Sequence, residues 1–196
     1  PLEKAALCEP LAVSWQAAKT AIEKLHPSMD HRALVIGGGA IGLAAALALK
    51  AMGAERIDVT EPNEARRAFL NERCNVTAFD APQNTASIVI DAVGLSATRR
   101  TASELCEPGG VIVHVGLGDN DGGLDVRRMT LQDISFIGSY TYNAQGFRDT
   151  AAAMFDGSLG PLDWFDTLPL SEGAEAFANI LAGRIAAPKI VLNPWT

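Results

Sequence analysis

A glycine-rich segment between an apolar run and a helical pattern constrains the fold more than any other part of the sequence. Residues 33–37 are apolar, Gly37–Gly39 are three consecutive glycines, and residues 40–52 show helical periodicity that ends at Gly53. A short apolar run is typical of a buried parallel strand, and a glycine just after a helix is a common C-terminal cap. The segment therefore predicts a strand, a tight turn and a helix.

Residues 33–49 carry no charged side chain, so a membrane span has to be considered for the same segment. The stretch is shorter than the ~20 apolar residues that a bilayer requires. The consecutive glycines would also interrupt the continuous helix of a span. No signal peptide is recognisable, and a cytoplasmic protein without a membrane span is therefore expected.

The chain has 16 basic and 23 acidic side chains, which give a net charge of −7. No cluster of Lys and Arg residues stands out along the sequence. An acidic chain of this kind lacks the electrostatic footprint of a protein that binds nucleic acid or an anionic membrane surface. We therefore expect neither as a partner.

Patterns typical of strands and helices alternate from residue 32 to residue 157. Further strands are predicted at 57–61, 76–79, 87–94, 110–118 and 134–140. Further helices are predicted at 9–25, 63–73, 96–106 and 145–155. Such alternation is typical of a parallel sheet covered by helices on both faces. The chain is therefore predicted to be an α/β protein with a doubly wound, six-stranded parallel Rossmann sheet of strand order 3-2-1-4-5-6.

The C-terminal part departs from this alternation. Gly157–Pro161 has the composition of a linker, and a helix at about 171–182 and a strand at 189–192 follow it. These two elements are surplus to a six-stranded Rossmann sheet. We predict a domain of residues 1–157 with its leading helix, followed by a tail of residues 158–196 that belongs to another domain.

Gly37, Gly39 and Gly42 match the spacing G-x-G-x-x-G, in the required place between a strand and a helix. The first glycine permits the tight turn, the second lets the backbone approach a pyrophosphate, and the third lets helix and strand pack closely. The N–H groups at the start of the helix, which include those of Ala40 and Ile41, are available to phosphate oxygens. The motif therefore predicts a dinucleotide-binding site.

Glu61 ends the second predicted strand, about 20 residues after Gly42. A carboxylate there can accept hydrogen bonds from both hydroxyls of an adenosine ribose and would repel a 2′-phosphate, so NAD is favoured over NADP. Arg66 and Arg67 leave NADP as an alternative cofactor, because a nearby arginine can accommodate that phosphate. A solvated residue at a strand end is the other interpretation of Glu61.

Other proteins with Rossmann-like sheets fit the sequence less well. In S-adenosylmethionine methyltransferases the third glycine usually comes earlier. Short-chain dehydrogenases need Tyr-x-x-x-Lys, and neither Tyr140 nor Tyr142 has a lysine four residues later. An α/β-hydrolase needs a G-x-S-x-G elbow, which the sequence lacks.

Six sequence blocks, in this order and at these spacings, resemble the C-terminal part of the zinc-dependent medium-chain alcohol dehydrogenases, and most of all the sorbitol and polyol dehydrogenases. The blocks are residues 5–13 (AALCEPLAV), 35–42 (VIGGGAIG), 91–94 (DAVG), 109–116 (GGVIVHVG), 137–140 (IGSY) and 189–192 (KIVL). The resemblance covers nearly the whole chain. It implies an NAD-binding domain that serves the oxidation of a polyol or secondary alcohol by hydride transfer.

The resemblance also implies roles for individual residues. Glu9 corresponds to the carboxylate of the family's A-L-x-E-P-L segment, which lies at the catalytic zinc directly or through water. The remaining positions surround the cofactor: Arg66 beside the adenosine ribose, Val93, Val115 and Ile137 at strand ends near the adenosine or nicotinamide, and Lys189 near the pyrophosphate.

The family's N-terminal GroES-like domain, which supplies the cysteine and His-Glu ligands of the catalytic zinc, has no counterpart in this sequence. The three cysteines and three histidines of the chain form no ligand cluster by spacing. Zinc is therefore expected only in the complete enzyme, and the tail from residue 158 is expected to pack on that domain. The chain by itself is expected to be inactive.

Two other functions stay open. One is a stand-alone nucleotide-sensing or interaction module. The other is the zinc-free quinone reductase branch, which prefers NADPH, although Glu9 and Glu61 argue against it. A homodimer is also expected, because the sixth strand (134–140) is apolar and forms an edge that can pair across a two-fold axis.

Overall fold

Six strands form one parallel sheet in the computed structural model, which describes residues 1–195. The strands are β1 (Arg32–Ile36), β2 (Arg56–Thr60), β3 (Thr77–Phe79), β4 (Ala86–Asp91), β5 (Cys106–His114) and β6 (Ser135–Gly138). Their order is β3-β2-β1-β4-β5-β6, so the predicted doubly wound topology is confirmed. In such sheets ligands bind outside the carboxyl ends of the strands where the order reverses, here between β1 and β4.

Helices cover both faces of the sheet. They are α1 (Leu2–Ala5), α2 (Cys8–Lys24), α3 (Ala40–Ala51), α4 (Glu64–Arg73), α5 (Ser96–Leu105), α6 (Val126–Leu131) and α7 (Ala144–Phe155). Side chains of β1 alternate between the faces: Ala33 and Val35 pack with α2 and α3, whereas Leu34 and Ile36 belong to a second apolar cluster with α5. The alternation follows from the two-residue period of a strand. It gives the sheet an apolar layer on each side.

The strands β4 and β5 end three and four residues earlier than predicted, and their last predicted residues form turns at the carboxyl edge. β4 ends at Asp91 instead of Gly94, and β5 ends at His114 instead of Gly118. The backbone N–H groups of Val93 and Gly94 donate to the Asp91 carboxylate rather than to a neighbouring strand. The glycines that ended the predicted strands therefore belong to the turns.

Helix α6 lies in a stretch for which the sequence predicts no helix. Its six residues, VRRMTL, are too few to display a helical period. The Asp125 side chain accepts a hydrogen bond from the backbone N–H of Arg128 at 2.8 Å and thereby caps the helix. β5 also begins at Cys106, directly after α5, rather than at residue 110.

The C-terminal elements form a separate sheet of two parallel strands, β7 (Phe165–Pro169) and β8 (Lys189–Asn193), joined through α8 (Gly173–Leu181). The predicted helix and strand are thus surplus to the six-stranded sheet, as expected. β7 was not predicted, because its sequence FDTLP lacks a clear alternation and ends in proline.

The segment between the two sheets packs into the main core. Leu159, Leu162 and Trp164 are buried there, in the cluster that includes α2 and α3. The domain boundary between residues 157 and 158 stays a prediction. These three side chains follow the boundary, and yet they belong to the core of the part that precedes it. No helix within residues 1–195 has the length and hydropathy needed to cross a membrane.

Candidate functional site

The turn after β1 has a backbone that only glycine adopts without strain. Gly37 has φ +99°, and a Cβ on it would lie 2.6 Å from Cγ2 of Val93. Its N–H donates to the carbonyl oxygen of Thr60 at 2.8 Å, which ties the turn to the end of β2. The turn therefore lies where β1, β2 and the chain after β4 meet.

Gly42 sets how closely α3 approaches β1. A Cβ on Gly42 would lie 1.7 Å from the carbonyl oxygen of Gly37, a distance that no side chain can occupy. The helix therefore starts directly on the backbone of the turn. The close packing predicted from the third glycine of the motif is confirmed.

Gly39 stands in the opposite environment. A Cβ on Gly39 would meet no atom within 4 Å, and Gly39 is the N-cap of α3 without a side-chain cap. The first N–H groups of a helix have no partner inside it, and they carry the positive end of its dipole. The N–H groups of Ala40 and Ile41 therefore border open space that suits an anion.

Glu61 is held against this turn rather than in solvent. It is 6% exposed, its Oε2 accepts from the Gly38 N–H at 3.0 Å, and its Oε1 accepts from the Asn63 N–H at 2.8 Å. The interpretation of Glu61 as a solvated residue is therefore wrong. Its carboxylate lies beside the glycine turn, as the ribose role requires, and that role stays a prediction.

The two arginines after Glu61 differ in what they can reach. Arg66 Nη1 lies 3.8 Å from Oε2 of Glu61, and its Nη2 donates to the carbonyl oxygen of Ile185 at 3.0 Å. Arg67 Nη1 donates to the backbone carbonyls of Glu61 and Pro62, each at 2.9 Å. Arg66 is therefore the cation beside the Glu61 carboxylate, and the C-terminal tail helps to hold it there.

A second polar anchor lies at the end of β4. Asp91 is completely buried; its Oδ1 accepts from the N–H groups of Val93 and Gly94 at 3.0 and 2.9 Å, and its Oδ2 accepts from the Thr98 hydroxyl at 3.0 Å. No motif in the sequence predicts this role of Asp91. The available signal was a carboxylate that ends an otherwise apolar strand.

The turns after β4 and β5 pack backbone on backbone. A Cβ on Gly116 would lie 2.1 Å from the carbonyl carbon of Val93, and one on Gly94 would lie 2.2 Å from Gly116. The N–H groups of Val115 and Gly116 both donate to the carbonyl oxygen of Asp91, at 2.9 and 3.0 Å. The structure therefore brings Val93 and Val115 together at the carboxyl edge.

A cavity of about 520 Å³ opens at the carboxyl ends of β5 and β6. Val115, Leu117, Phe136 and Tyr140 are among its lining residues. Ile137 does not line it: its side chain is partly buried against the core on the α2 and α3 side. Of the three predicted strand-end positions, Val115 alone faces this cavity.

Two predicted positions lie outside the cluster around the turn. Lys189 is the first residue of β8 in the small sheet, four residues after Ile185, whose carbonyl accepts from Arg66. Glu9 is exposed in the first turn of α2. Among residues 1–195, neither side chain forms a hydrogen bond or ion pair with the glycine turn.

The side chains of residues 1–195 contain no group of three or more His, Cys, Asp or Glu arranged to hold a metal ion. All three cysteines are free. Burial and the neighbouring Glu9 carboxylate raise the pKa of the Cys8 thiol, so the thiolate that zinc prefers is disfavoured there. The side chains that the structure describes, those of residues 1–195, therefore do not form a zinc site by themselves.

A sequence profile of the zinc-binding dehydrogenases matches residues 40–156, more than half of the chain. The chain is 26% identical to the sorbitol dehydrogenase of Bombyx mori over 210 residues and 29% identical to the (R,R)-butanediol dehydrogenase of Saccharomyces cerevisiae over 216 residues. The alignments cover 98% and 99% of this chain, and 58% and 55% of the two relatives. The chain thus spans little more than half the length of these curated relatives.

Solved structures of longer dehydrogenases share the fold. The acetophenone reductase of Geotrichum candidum in complex with NAD superimposes with a TM-score of 0.81 at 20% identity, covering 96% of this chain and 55% of that one. A zinc-binding dehydrogenase of Sinorhizobium meliloti bound to NADP gives 0.80 at 19% identity, covering 97% and 59%. Similarity at this level of identity shows a common fold.

Substitution by alanine should have different effects on stability at Gly42, which is closely packed, and at Gly39, which faces open space. Gly42→Ala should lower the free energy of unfolding by ~1–3 kcal/mol, because its methyl group would overlap the Gly37 carbonyl. Gly39→Ala should change it by less than ~0.5 kcal/mol, because the added methyl group meets nothing. Urea unfolding of both variants tests this, and equal losses would contradict the described packing.

Proposed function

The chain belongs to the zinc-binding dehydrogenase family, and from that premise we propose that it is the NAD-binding portion of a dehydrogenase that oxidises a polyol or secondary alcohol. Its relatives are named for sorbitol and for a butanediol, both of which carry secondary hydroxyl groups. A bound NAD would supply the nicotinamide as the acceptor for the hydride from the alcohol carbon. The residues of this chain bind the cofactor and orient it.

One observation carries the proposal: a buried carboxylate lies against a glycine turn whose helix N-terminus is open. Glu61 accepts from the Gly38 N–H at 3.0 Å, and the space beside Gly39 is free of protein atoms. The N–H groups of Ala40 and Ile41 would hold the pyrophosphate of a bound cofactor. The Glu61 carboxylate would accept hydrogen bonds from the adenosine ribose.

The turns after β4 and β5, whose backbones pack against each other, would bind the nicotinamide half of the cofactor. Val93 borders the glycine turn and Val115 lines the cavity at the carboxyl edge, which supports a nicotinamide end near these two side chains. For Ile137 and Lys189 the support is the family resemblance alone. The tail loop that precedes Lys189 reaches Arg66, and this agrees with a position on the cofactor's side of the molecule.

A further domain, GroES-like as in the family, would complete the enzyme and pack on the tail of residues 158–196. Several large apolar side chains of the tail support this, because they are exposed in the chain alone: Leu170, Phe177, Ile180, Leu181 and Trp195. The zinc ligands would come from that domain, with Glu9 near the metal directly or through water.

We expect the chain alone to bind NADH in a binary complex and not to oxidise an alcohol. Binding should appear as a change in NADH fluorescence on titration, with mixtures of NAD⁺, zinc and a polyol giving no NADH. The Gly39→Val variant should bind more weakly, since its side chain fills the space proposed for the pyrophosphate. Absence of binding by the wild-type chain at millimolar NADH would contradict the proposed function.

The Glu61 carboxylate should set the preference for NADH over NADPH. Glu61→Gln removes the charge that repels a 2′-phosphate, so the ratio of the two dissociation constants should move toward NADPH by about tenfold, or ~1.4 kcal/mol. The control is Glu64→Gln, which neutralises an exposed acid in the first turn of α4. A wild-type preference for NADPH would instead favour Arg66 as a phosphate ligand.

We also propose a homodimer through β6. Within residues 1–195 this strand pairs only with β5, and the exposed side chains of Leu131 and Tyr140 flank its ends. Sedimentation should give a dimer, and Leu131→Lys should shift it toward the monomer. Leu181→Lys changes a leucine on α8 that is also exposed, and it should leave the mass unchanged. A monomeric wild-type chain at high concentration would contradict the proposal.

A further inference from the structure

A buried arginine on α5 has no role in the proposed cofactor contacts. Arg99 is 7% exposed, whereas Arg100, the next residue, is exposed on the same helix. Burying a guanidinium is costly unless hydrogen bonds and an opposite charge compensate it. The partners of Arg99 therefore show what the burial achieves.

Those partners belong to the two turns at the carboxyl edge. Arg99 Nη1 donates to the carbonyl oxygen of Gly94 at 2.8 Å, in the turn after β4. Its Nε donates to the carbonyl oxygen of Gly122 at 2.7 Å, and its Nη2 donates to the Asp119 carboxylate and to the carbonyl oxygen of Asp121. One side chain thus joins the turn after β4 to the loop that follows β5.

Asp119 completes the link from the other side. Its Oδ2 accepts from the Ser96 N–H at the start of α5 at 3.0 Å, and its Oδ1 accepts from the Asp121 N–H at 3.1 Å. The Ser96 N–H first, and then the Arg99 guanidinium, lower the pKa of Asp119. The loop is therefore held by a charged pair that spans α5 and the chain after β5.

The loop that this pair holds has no secondary structure of its own between β5 and α6, and it contains three glycines in residues 118–123. It forms one wall of the 520 Å³ cavity, where Leu117 and Asp119–Asp121 face the end of β6. Glycine-rich loops without such anchors sample many conformations.

We propose that Arg99 is a positioning residue that fixes the loop of residues 117–122 as the wall against which the nicotinamide half of the cofactor binds. The inference rests on the proposed function. Arg99 also lines the cavity, but its guanidinium donates its hydrogen bonds to the two turns, so it acts through the loop. Its removal should therefore affect the nicotinamide half selectively and leave the adenosine half, at Gly39 and Glu61, unaffected.

The test compares NADH with ADP-ribose, which contains the adenosine and pyrophosphate but no nicotinamide. In Arg99→Met the dissociation constant of NADH should rise about tenfold, while that of ADP-ribose stays within about twofold. The fluorescence shift of bound NADH should shrink as well. Arg100→Met, on the same helix, should change none of these quantities.

A second variant keeps the test decisive if Arg99→Met does not fold. Asp119→Asn retains an acceptor but removes the charge, and it should weaken NADH selectively, by less than Arg99→Met. Unchanged NADH binding, or equal losses for NADH and ADP-ribose, would overturn the inference while leaving the proposed function intact. A wild-type chain that binds neither ligand would overturn both.

Discussion

The approach of α3 to the end of β1 is the constraint on which the rest of the structure depends. A Cβ at Gly42 would lie 1.7 Å from the Gly37 carbonyl oxygen, so the helix can start there only because the side chain is absent. This contact aims the helix N-terminus at open space beside Gly39. It also brings Gly38 to the end of β2, where the buried Glu61 carboxylate accepts a hydrogen bond from the Gly38 N–H. Packing and the proposed recognition of the cofactor therefore depend on the same few backbone atoms.

In the second half of the sheet, glycines again allow a close approach between two backbone segments. Gly94 and Gly116 let two turns touch through their backbones, and the buried Asp91 carboxylate holds the first of them. Arg99 joins the first of these turns to the loop beyond β5 through hydrogen bonds to both. Rigid turns at adjacent strand ends can hold an extended dinucleotide along the carboxyl edge with little ordering of the protein on binding.

The sequence predicted the sheet well because its central strands are continuous apolar runs separated by glycines and helical patterns. It also predicted the glycine turn and the closeness of Glu61, since both follow from a spacing that the geometry requires. Helix α6 and strand β7 were missed because neither displays a period that can be recognised. The burial of Arg99 was missed for another reason. An arginine is normally exposed, and most of the partners that compensate its burial lie about 20 positions further along the chain.

Backbone amide resonances of the isotope-labelled chain, followed by NMR as NAD⁺ is added, test the central claim most directly. A dinucleotide bound across the carboxyl edge should shift the amides of Gly39–Gly42 at one end. It should also shift those of Val93, Gly94 and Val115 at the other, since these belong to the turns after β4 and β5. Shifts confined to α8 and the small sheet, or none at the glycine turn, would contradict the account.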